Sequence, residues 1–354
     1  MKILFLTGSR SDPPSRFRIW QFVEPLTAMG HQVKVRVPSP NRTWSSELRG
    51  QSFRQVHTRC GAAWRILSVL WNLRDAREYD IIMMNRDLVP DPRIAFIEPW
   101  LAKRNPRLVF DFDDAIHIGS RERKLRKILP LFAWVTPGNP YLAEFARQAN
   151  KNVSVWPTVV NTDHYRPTTQ RRPGPIRIGW SGSNSTAKYC LPILEEPLCQ
   201  MATTQEFEFI IICNSDPRIR WQNVRSRFIP WTPDTEIAGL HEIDLGLMPL
   251  KDEAFERGKC GLKAIQYMGI GIPGLVSPVG VNSEIVLHGK DGYHCRTAEE
   301  WVRYASHLIQ NPDLRIDMGV RARKRAVENY SVQSLLPKMT ATFQQIAKGK
   351  RSSS

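Results

Sequence analysis

The sequence lacks several patterns that would assign a function at once. Its six cysteines form no CxxC pair, so neither a zinc site nor a disulfide framework is indicated, and a reducing cytoplasm is the expected compartment. No apolar run of about 18 residues is present, and the apolar run at the N-terminus is too short for a signal peptide. Any membrane contact is therefore expected to be peripheral, on the inner face of the membrane.

Acidic residues are few: 34 Asp and Glu stand against 50 Lys and Arg, which gives a formal net charge of +16. Such an excess favours anionic partners, namely phosphorylated small molecules, lipid head groups or an anionic membrane surface. We expect no nucleic-acid partner, because zinc-finger spacing, an aromatic and glycine RNA signature and a helix-turn-helix are all missing. Hydrophobic residues make up 42% of 354 residues, which is enough for two cores.

Short apolar runs alternate with amphipathic helical patterns along most of the chain. Residues 166–175 interrupt this alternation with prolines, a glycine and arginines, and they contain no apolar residue. The alternation then restarts with IRIGW at 176–180 and FEFIIIC at 207–213. These patterns predict an α/β fold with two Rossmann-like domains facing a cleft. The predicted parts are an N-terminal domain at 1–165, a linker at 166–175, a C-terminal domain at 176–330, a C-terminal helix at 331–347 packing back towards the first domain, and a disordered tail at 348–354.

Ligands of such folds bind after the carboxyl ends of strands, where loops and helix N-termini converge. The segment GWSGS at 179–183 follows a predicted strand and opens a helix that contains Lys188. Small residues there, such as Gly182 and Ser183, let backbone N–H groups approach a phosphate. Its alternative interpretation is a tight turn capped by Ser183 or Ser185. The turn has neither GxGxxG nor GxxxxGK[ST], which argues against a dehydrogenase and a P-loop enzyme.

A second candidate segment is RGKCGLKAIQYM at 257–268. Its glycines and cations open a predicted helix, so the helix dipole and the side-chain charges both favour an anion such as a diphosphate. Lys259 and Lys263 are four residues apart and share a face, where like charges mildly destabilise a helix unless an anion holds them. The alternative is a solvated basic helix start.

A third candidate follows the strand RLVFDF and contains Asp111, Asp113, Asp114 and His117. These residues fit a proton acceptor or electrostatic partner, a metal-binding DxD, or a phosphatase nucleophile motif. A structural alternative is helix capping by Asp113 or Asp114. Three further cations follow other predicted strands: Arg16, Arg18 and Arg86. They are candidates to clamp a phosphate of the donor or the acceptor. The alternative is that they only solvate a loop.

Five segments in order resemble the family-4 group of retaining glycosyltransferases, which have the two-domain GT-B fold. They are MKILFLTG with RFRIWQFVEPLTAMGHQVKV, VTPGNPYLAEFA, VWPTVVNTDHY, IGWSGSNSTAKY and GKCGLKAIQYMGIGIPGLVSPVGVNSEIV. The last resembles the donor block of a subgroup with the pattern GKCGxKxxQYM. The resemblance implies transfer of a hexose-type sugar from a nucleoside-diphosphate sugar to a glycan or glycolipid acceptor, with retention and with neither a metal nor a cofactor.

The resemblance also implies roles for individual residues. Gly182 and Ser183 would lie near the donor phosphates with Lys188 nearby, and Lys259 and Lys263 would neutralise the diphosphate. Gln266 would lie near the ribose and Glu284 in a turn beside the donor. The catalytic candidates are Asp113, Asp114, His117 and Lys263.

Two departures from the family pattern leave alternatives open. The family's two glutamates, eight residues apart, correspond here to Gly258 and Gln266, unless Glu253 or Glu256 replaces the first. The usual first-domain histidine corresponds to the acidic segment that ends in His117. A nucleotide-sugar epimerase of the same fold, or a nucleotide-sugar or membrane-surface binding protein without turnover, are the alternative functions.

Overall fold

The structure, a computed structural model, describes residues 1–37, 59–89, 91–168 and 173–349, and side chains are described for these ranges except at 59–65. The middle of the predicted linker and residues 350–354 of the predicted tail lie outside the described residues. The chain divides into two compact units, Met1–Thr158 with Leu335–Ser354, and Val159–Ser334. Residues 159–165 belong to the second unit because Val160 pairs with Ser331 and the Tyr165 hydroxyl donates to Glu236.

The first unit is built on a five-stranded parallel sheet with the order β2-β1-β3-β4-β5. Its strands are β1 (Lys2–Leu6), β2 (Gln32–Arg36), β3 (Ile81–Asn85), β4 (Leu108–Phe112) and β5 (Trp134–Pro137). β3 and β4 are buried along their whole length and β1 along nearly all of it. Such burial is typical of central parallel strands that helices cover on both faces, and it explains why these segments are continuous apolar runs.

The helices of the first unit connect these strands. They are α1 (Pro13–Ser15), α2 (Gln21–Ala28), α3 (Arg59–Asn72), α4 (Ile97–Ala102), α5 (Glu122–Ile128) and α6 (Pro140–Arg147), with one turn of π-helix at Arg16–Trp20. α6 begins at a proline, and the Asn139 side chain accepts a hydrogen bond from the Leu142 N–H at 2.8 Å. A polar cap followed by proline at the first helical position is a strong start signal.

The second unit contains a six-stranded parallel sheet with the order β11-β10-β9-β6-β7-β8. Its strands are β6 (Ile176–Gly182), β7 (Phe207–Cys213), β8 (Ser226–Pro230), β9 (Leu245–Met248), β10 (Gly274–Val276) and β11 (Gly292–His294). The helices between them are α7 (Asn184–Cys190), α8 (Glu195–Met201), α9 (Glu236–Leu240), α10 (Ala254–Arg257), α11 (Leu262–Gly269) and α12 (Asn282–Ile285).

Three helices complete the chain: α13 (Ala298–Gln310), α14 (Pro312–Asn329) and α15 (Val332–Lys348). Thr297 caps α13 by accepting from the Glu300 N–H, and a proline starts α14. The boundary between the units falls within α15, so that residues from Leu335 onward belong to the first unit. None of the helices in the described ranges is both long enough and apolar enough to span a bilayer.

The pattern of residues 92–104 predicts a helix over the whole range, but the helix in the structure is shorter because the first part of this range forms a turn. The carboxylate of Asp91 accepts hydrogen bonds from the backbone N–H and the guanidinium of Arg93, at 2.8 to 3.0 Å. This local bonding competes with the helix, which begins only at Ile97.

Candidate functional site

Each sheet has one point where the strand order reverses, between β1 and β3 in the first unit and between β6 and β9 in the second. In open α/β sheets, ligands bind outside the carboxyl ends of the strands at such a reversal. The donor-side candidates follow β6, β9 and β10, and the first-unit candidates follow β1, β3 and β4. The topology therefore places the candidate residues of each unit at its carboxyl edge.

The turn after β6 is organised by its own side chains. The Ser183 hydroxyl accepts from the Thr186 N–H at 3.2 Å, which makes Ser183 the N-cap of α7. The Asn184 N–H donates to the side-chain oxygen of Asn214 at 2.8 Å. The capping interpretation of Ser183 therefore describes the structure, and the backbone amides of Asn184 and Thr186 in this turn already have acceptors.

Lys263 lies directly beside Gly182, although the two residues are 81 positions apart in the sequence. A Cβ atom at Gly182 would lie 3.0 Å from Cε of Lys263 and 2.5 Å from the Trp180 ring. The Lys263 ammonium lies 5.5 Å from the centroid of that ring. The glycine thus leaves space for the lysine stem, and the ring face stabilises its charge. The sequence did not identify Trp180 as part of the site.

Further cations lie near this lysine. The Lys259 ammonium lies 4.9 Å from the Phe255 ring centroid, and the Lys251 ammonium lies 4.6 Å from that of Tyr189. Burial raises the pKa of the Cys190 thiol, while the charges of Lys263, Lys259 and Lys251 act in the opposite direction. Three lysines and the carboxylate of Glu256 thus lie within electrostatic reach of one buried thiol. Lys251 was missed by sequence reasoning, although its position shortly after β9 was a signal.

Gln266 is buried and belongs to a hydrogen-bonded network. Its side-chain N–H donates to the Tyr165 hydroxyl at 3.2 Å, and that hydroxyl donates to the Glu236 carboxylate. The Trp231 indole N–H donates to the other oxygen of Glu236 at 2.9 Å. The hydrogen bond from the Gln266 nitrogen to Tyr165 fixes the orientation of the Gln266 amide. Its members come from distant segments, and sequence reasoning found only Gln266.

α12 approaches the start of α11. Gly261 has a positive φ of 67°, and a Cβ atom there would lie 2.1 Å from Ile285, so only glycine fits. Glu284, in the same short helix as Ile285, is exposed, as is Lys188 near the end of α7. The two glutamates that were considered as replacements for the family's first glutamate differ: Glu253 accepts from the Tyr189 hydroxyl, and Glu256 is buried.

In the first unit, Arg18 and Asp111 form a buried ion pair. Nε and Nη2 of Arg18 lie 3.0 and 2.5 Å from the two carboxylate oxygens. Asn85 and Thr136 donate to the same carboxylate at 3.0 and 2.9 Å, and Arg18 also donates to the carbonyl of Trp156 at 2.7 Å. This geometry corrects two expectations. Arg18 does not fit a phosphate clamp, and Asp111 does not fit a metal ligand, because each is enclosed with its counter-charge.

Arg86 bridges the next two acidic residues. Its Nη2 lies 2.9 Å from Asp113 and 2.6 Å from Asp114. Its backbone has a positive φ of 66°, and its N–H donates to the Asp111 carbonyl at 2.7 Å. Burial disfavours the charge of Arg86, but Asp113 and Asp114 outweigh this effect and raise its pKa. Arg86 was predicted as a phosphate clamp, whereas the structure uses it to hold two carboxylates. A bulky residue in this backbone conformation is strained, which is common at functional sites.

His117 and Arg16 contact aromatic rings. The His117 imidazole is half-buried and stacks on Phe145 with a centroid distance of 4.2 Å. Burial lowers the pKa of His117 below its usual value, so the ring is neutral near pH 7. The guanidinium of Arg16 lies 4.5 Å from the Phe17 ring centroid. Within the described ranges, no group of three or more His, Cys, Asp or Glu residues is arranged to hold a metal ion.

Residues 178–311 match the family model described as Glycosyl transferases group 1. The match covers less than half of the chain, and it includes every donor-side candidate: Gly182, Ser183, Lys188, Lys259, Lys263, Gln266 and Glu284. No curated protein sequence matches the chain.

Solved structures resemble the whole chain. Sucrose-phosphate synthase from Thermosynechococcus elongatus is 15% identical, with 99% of this chain and 100% of that chain covered and a TM-score of 0.72. A glycosyltransferase from Rickettsia africae is 16% identical, with 99% of each chain covered and a TM-score of 0.71. HepE from Anabaena, solved with UDP, is 17% identical, with 98% and 100% covered and a TM-score of 0.65. The likeness shows that the chain has the GT-B fold of two parallel-sheet α/β domains.

Proposed function

We propose that this protein is a glycosyltransferase that moves a hexose-type sugar from a nucleoside-diphosphate sugar to a saccharide or lipid-linked acceptor. The proposal includes retention at the anomeric carbon, independence of metal ions, and peripheral association with a membrane surface. The observation that carries it is the position of Lys263 beside Gly182, at the reversal point of the second sheet and within the segment that matches the family model.

The chemistry of the second unit supports this proposal. When the bond between the anomeric carbon and the diphosphate breaks, negative charge develops on the leaving diphosphate. In this proposal that charge is stabilised by Lys263, which lies beside Gly182, together with Lys259 and Lys251, which lie over aromatic rings of the same unit. Fixed cations lower the barrier only if they bind the transition state better than the ground state. An Anabaena relative of the fold has been solved with UDP-glucose, which is the class of donor proposed here.

The first unit is proposed to bind the acceptor. Its carboxyl edge presents the partly exposed carboxylates of Asp113 and Asp114, which Arg86 holds in place. An acceptor hydroxyl that attacks the sugar must lose its proton, and a carboxylate fixed by an arginine is a suitable acceptor or orienting group. Transfer is expected to persist in EDTA. Loss of transfer in EDTA that Mn²⁺ restores would contradict the metal-independent part of the proposal.

The donor is identified first by thermal shift with a panel of nucleotide sugars, because a bound donor raises stability by mass action. Transfer of the sugar is then measured with the best donor and a set of saccharide and lipid-linked acceptors. Lys263→Ala is expected to lower kcat/KM by about 100- to 1,000-fold, as found when one charge-stabilising donor is removed. Lys324→Ala removes an exposed lysine from α14 of the same unit and serves as the matched control.

Three outcomes would contradict the proposal. Release of an altered free sugar without transfer would indicate an epimerase. Donor binding without transfer or donor hydrolysis would indicate a binding protein without turnover. Equal rates for Lys263→Ala and Lys324→Ala would show that the position of Lys263 does not carry the function.

A further inference from the structure

The end of α3 and the turn after it expose an apolar and basic strip on the first unit. Leu67 is 64% exposed and Trp71 is 67% exposed, and the two residues are four positions apart on the helix. Arg74 and Arg77, which follow in the turn after the helix, are also exposed. We call these four residues the α3 strip. Large apolar side chains with such exposure are uncommon in pairs and mark interaction surfaces when basic residues flank them.

Tryptophan and arginine are paired in this region. The Arg74 guanidinium lies 4.3 Å from the Trp71 ring centroid, and the Arg104 guanidinium lies 3.6 Å from that of Trp100. The indole ring has an apolar body with a polar edge, which suits it to the boundary between water and lipid head groups. An arginine stacked on the ring keeps its charge available at the same depth.

A basic groove of about 810 Å³ adjoins the strip and shares Arg77 with it. Arg104, Arg107 and Lys348 also line the groove, and none of its lining residues in the described ranges is Asp or Glu. Arg107 directly precedes β4, and Trp134, which also lines the groove, begins β5. The groove therefore lies at the amino edge of the first sheet, whereas Asp113, Asp114 and Arg86 follow the carboxyl ends of strands.

We propose that the α3 strip and this groove dock the protein on an anionic phospholipid bilayer. Leu67 and Trp71 enter the boundary between head groups and acyl chains, and the cations of the groove bind head-group phosphates. Charge complementarity favours this occupant, because the chain carries a net charge of +16 and the groove lining contains no acidic residue among those described. The inference rests on the proposed function, since it names the surface for the peripheral association proposed there.

Docking is tested with the full chain by flotation on vesicles of phosphatidylcholine alone and of phosphatidylcholine with phosphatidylglycerol. We expect binding only to the anionic vesicles. Arg104→Gln with Lys348→Gln should weaken binding roughly 25-fold, from about fivefold per cation. Leu67→Ser with Trp71→Ser should also weaken it, by about tenfold or more.

Matched controls come from exposed positions of the second unit. Arg220→Gln with Lys324→Gln controls for charge, and Ile316→Ser with Val320→Ser controls for exposed apolar residues. Equal weakening in the controls, or equal binding to neutral vesicles, would overturn the proposal. Self-association that is lost in the Leu67→Ser and Trp71→Ser variant would also overturn it, because the occupant would then be a second copy.

The docking test can fail independently of the proposed function. Donor thermal shifts and transfer to a soluble acceptor, both measured without vesicles, are expected to be unchanged in the strip and groove variants. Normal transfer with no vesicle binding would overturn the docking surface and the peripheral association, and it would leave the proposed sugar transfer standing. Vesicle binding that depends on the strip, in a protein with no transfer, would overturn the proposed function alone.

Discussion

The carboxyl edges of the two sheets are built in different ways. In the first unit, Asp111 is buried against Arg18, and Arg86 holds Asp113 and Asp114. In the second unit, lysine ammonium groups lie over aromatic rings, beside a glycine that leaves space for the stem of Lys263. At the first edge the carboxylates are paired with arginines of the same unit, and at the second edge a glycine leaves space for a lysine that lies over an aromatic ring.

This difference separates stability from ligand binding. A buried ion pair contributes little net stability compared with apolar packing, but removal of one partner leaves an uncompensated charge and is strongly destabilising. A cation over an aromatic ring retains its charge, which attracts anions. We therefore expect changes at the buried pair of Arg18 and Asp111 to act mainly on stability, and changes at Lys263 to act mainly on donor binding.

The largest expected effect is on the stability of the first unit. Asp111→Asn would remove the charge that neutralises buried Arg18, while keeping the shape of the side chain. We expect a loss of about 3–5 kcal/mol in the local free energy of unfolding. Hydrogen–deuterium exchange of peptides from β4 and β5 measures it, because the two units need not unfold together.

Asp91→Asn is the matched control for this prediction. Its partner Arg93 is 88% exposed, and the loss of such a surface pair is expected to cost about 0–1 kcal/mol. If the β4 and β5 peptides of the two variants are equally protected from hydrogen–deuterium exchange, the first edge does not depend on its buried ion pair.

A smaller effect is expected from Gly182→Ala at the second edge. The new Cβ would lie 2.5 Å from the ring of Trp180, which is almost fully buried, and 3.0 Å from the Lys263 stem. Overpacking against a buried ring is expected to cost about 1–3 kcal/mol, and the displaced lysine should weaken donor binding. Exchange of β6 peptides and calorimetric titration with UDP measure the two effects.

Gly274→Ala is the control, because Gly274 is a glycine in another strand, β10, of the same sheet. A Cβ atom there would meet its nearest neighbour at 3.7 Å, which is ordinary contact, so neither stability nor UDP affinity should fall. If Gly182→Ala binds UDP as well as Gly274→Ala does, the Gly182 and Lys263 contact does not shape the donor site.

Most of the strands could be predicted from the sequence, because a buried parallel strand is a continuous apolar run. β7 coincides with the predicted run FEFIIIC, and the GT-B fold followed from the order of such runs together with the family resemblance. The fold class was therefore available from local pattern and chain order. Local patterns also gave Gly182 and Lys263 separately, since each follows a strand.

Partners that are distant in the sequence could not be predicted. Arg18 and Asp111 are 93 positions apart, and a single sequence gives no signal that an arginine in a loop has a buried counter-charge. Gln266 and Tyr165 are 101 positions apart, and the bond from Tyr165 to Glu236 spans 71 more. Such pairs depend on the packing of whole elements, so residue type and spacing indicated Arg18, Asp111 and Gln266 as candidates but not what these side chains bind.

The smallest expected effect concerns His117 at the first edge. Burial lowers its pKa below the usual 6.5, so the unfolded chain binds the proton first as the pH falls. The stability that the neutral ring contributes is complete above pH 6.5 and is lost as the pH falls through the lowered pKa of the folded state.

His117→Phe keeps an aromatic ring over Phe145 and removes this titration. Urea unfolding at several pH values should therefore show the variant gaining stability relative to the wild type on acidification. A difference that stays constant from pH 8 to pH 5 would show that the packing of the ring, and not its protonation, is what the first edge requires.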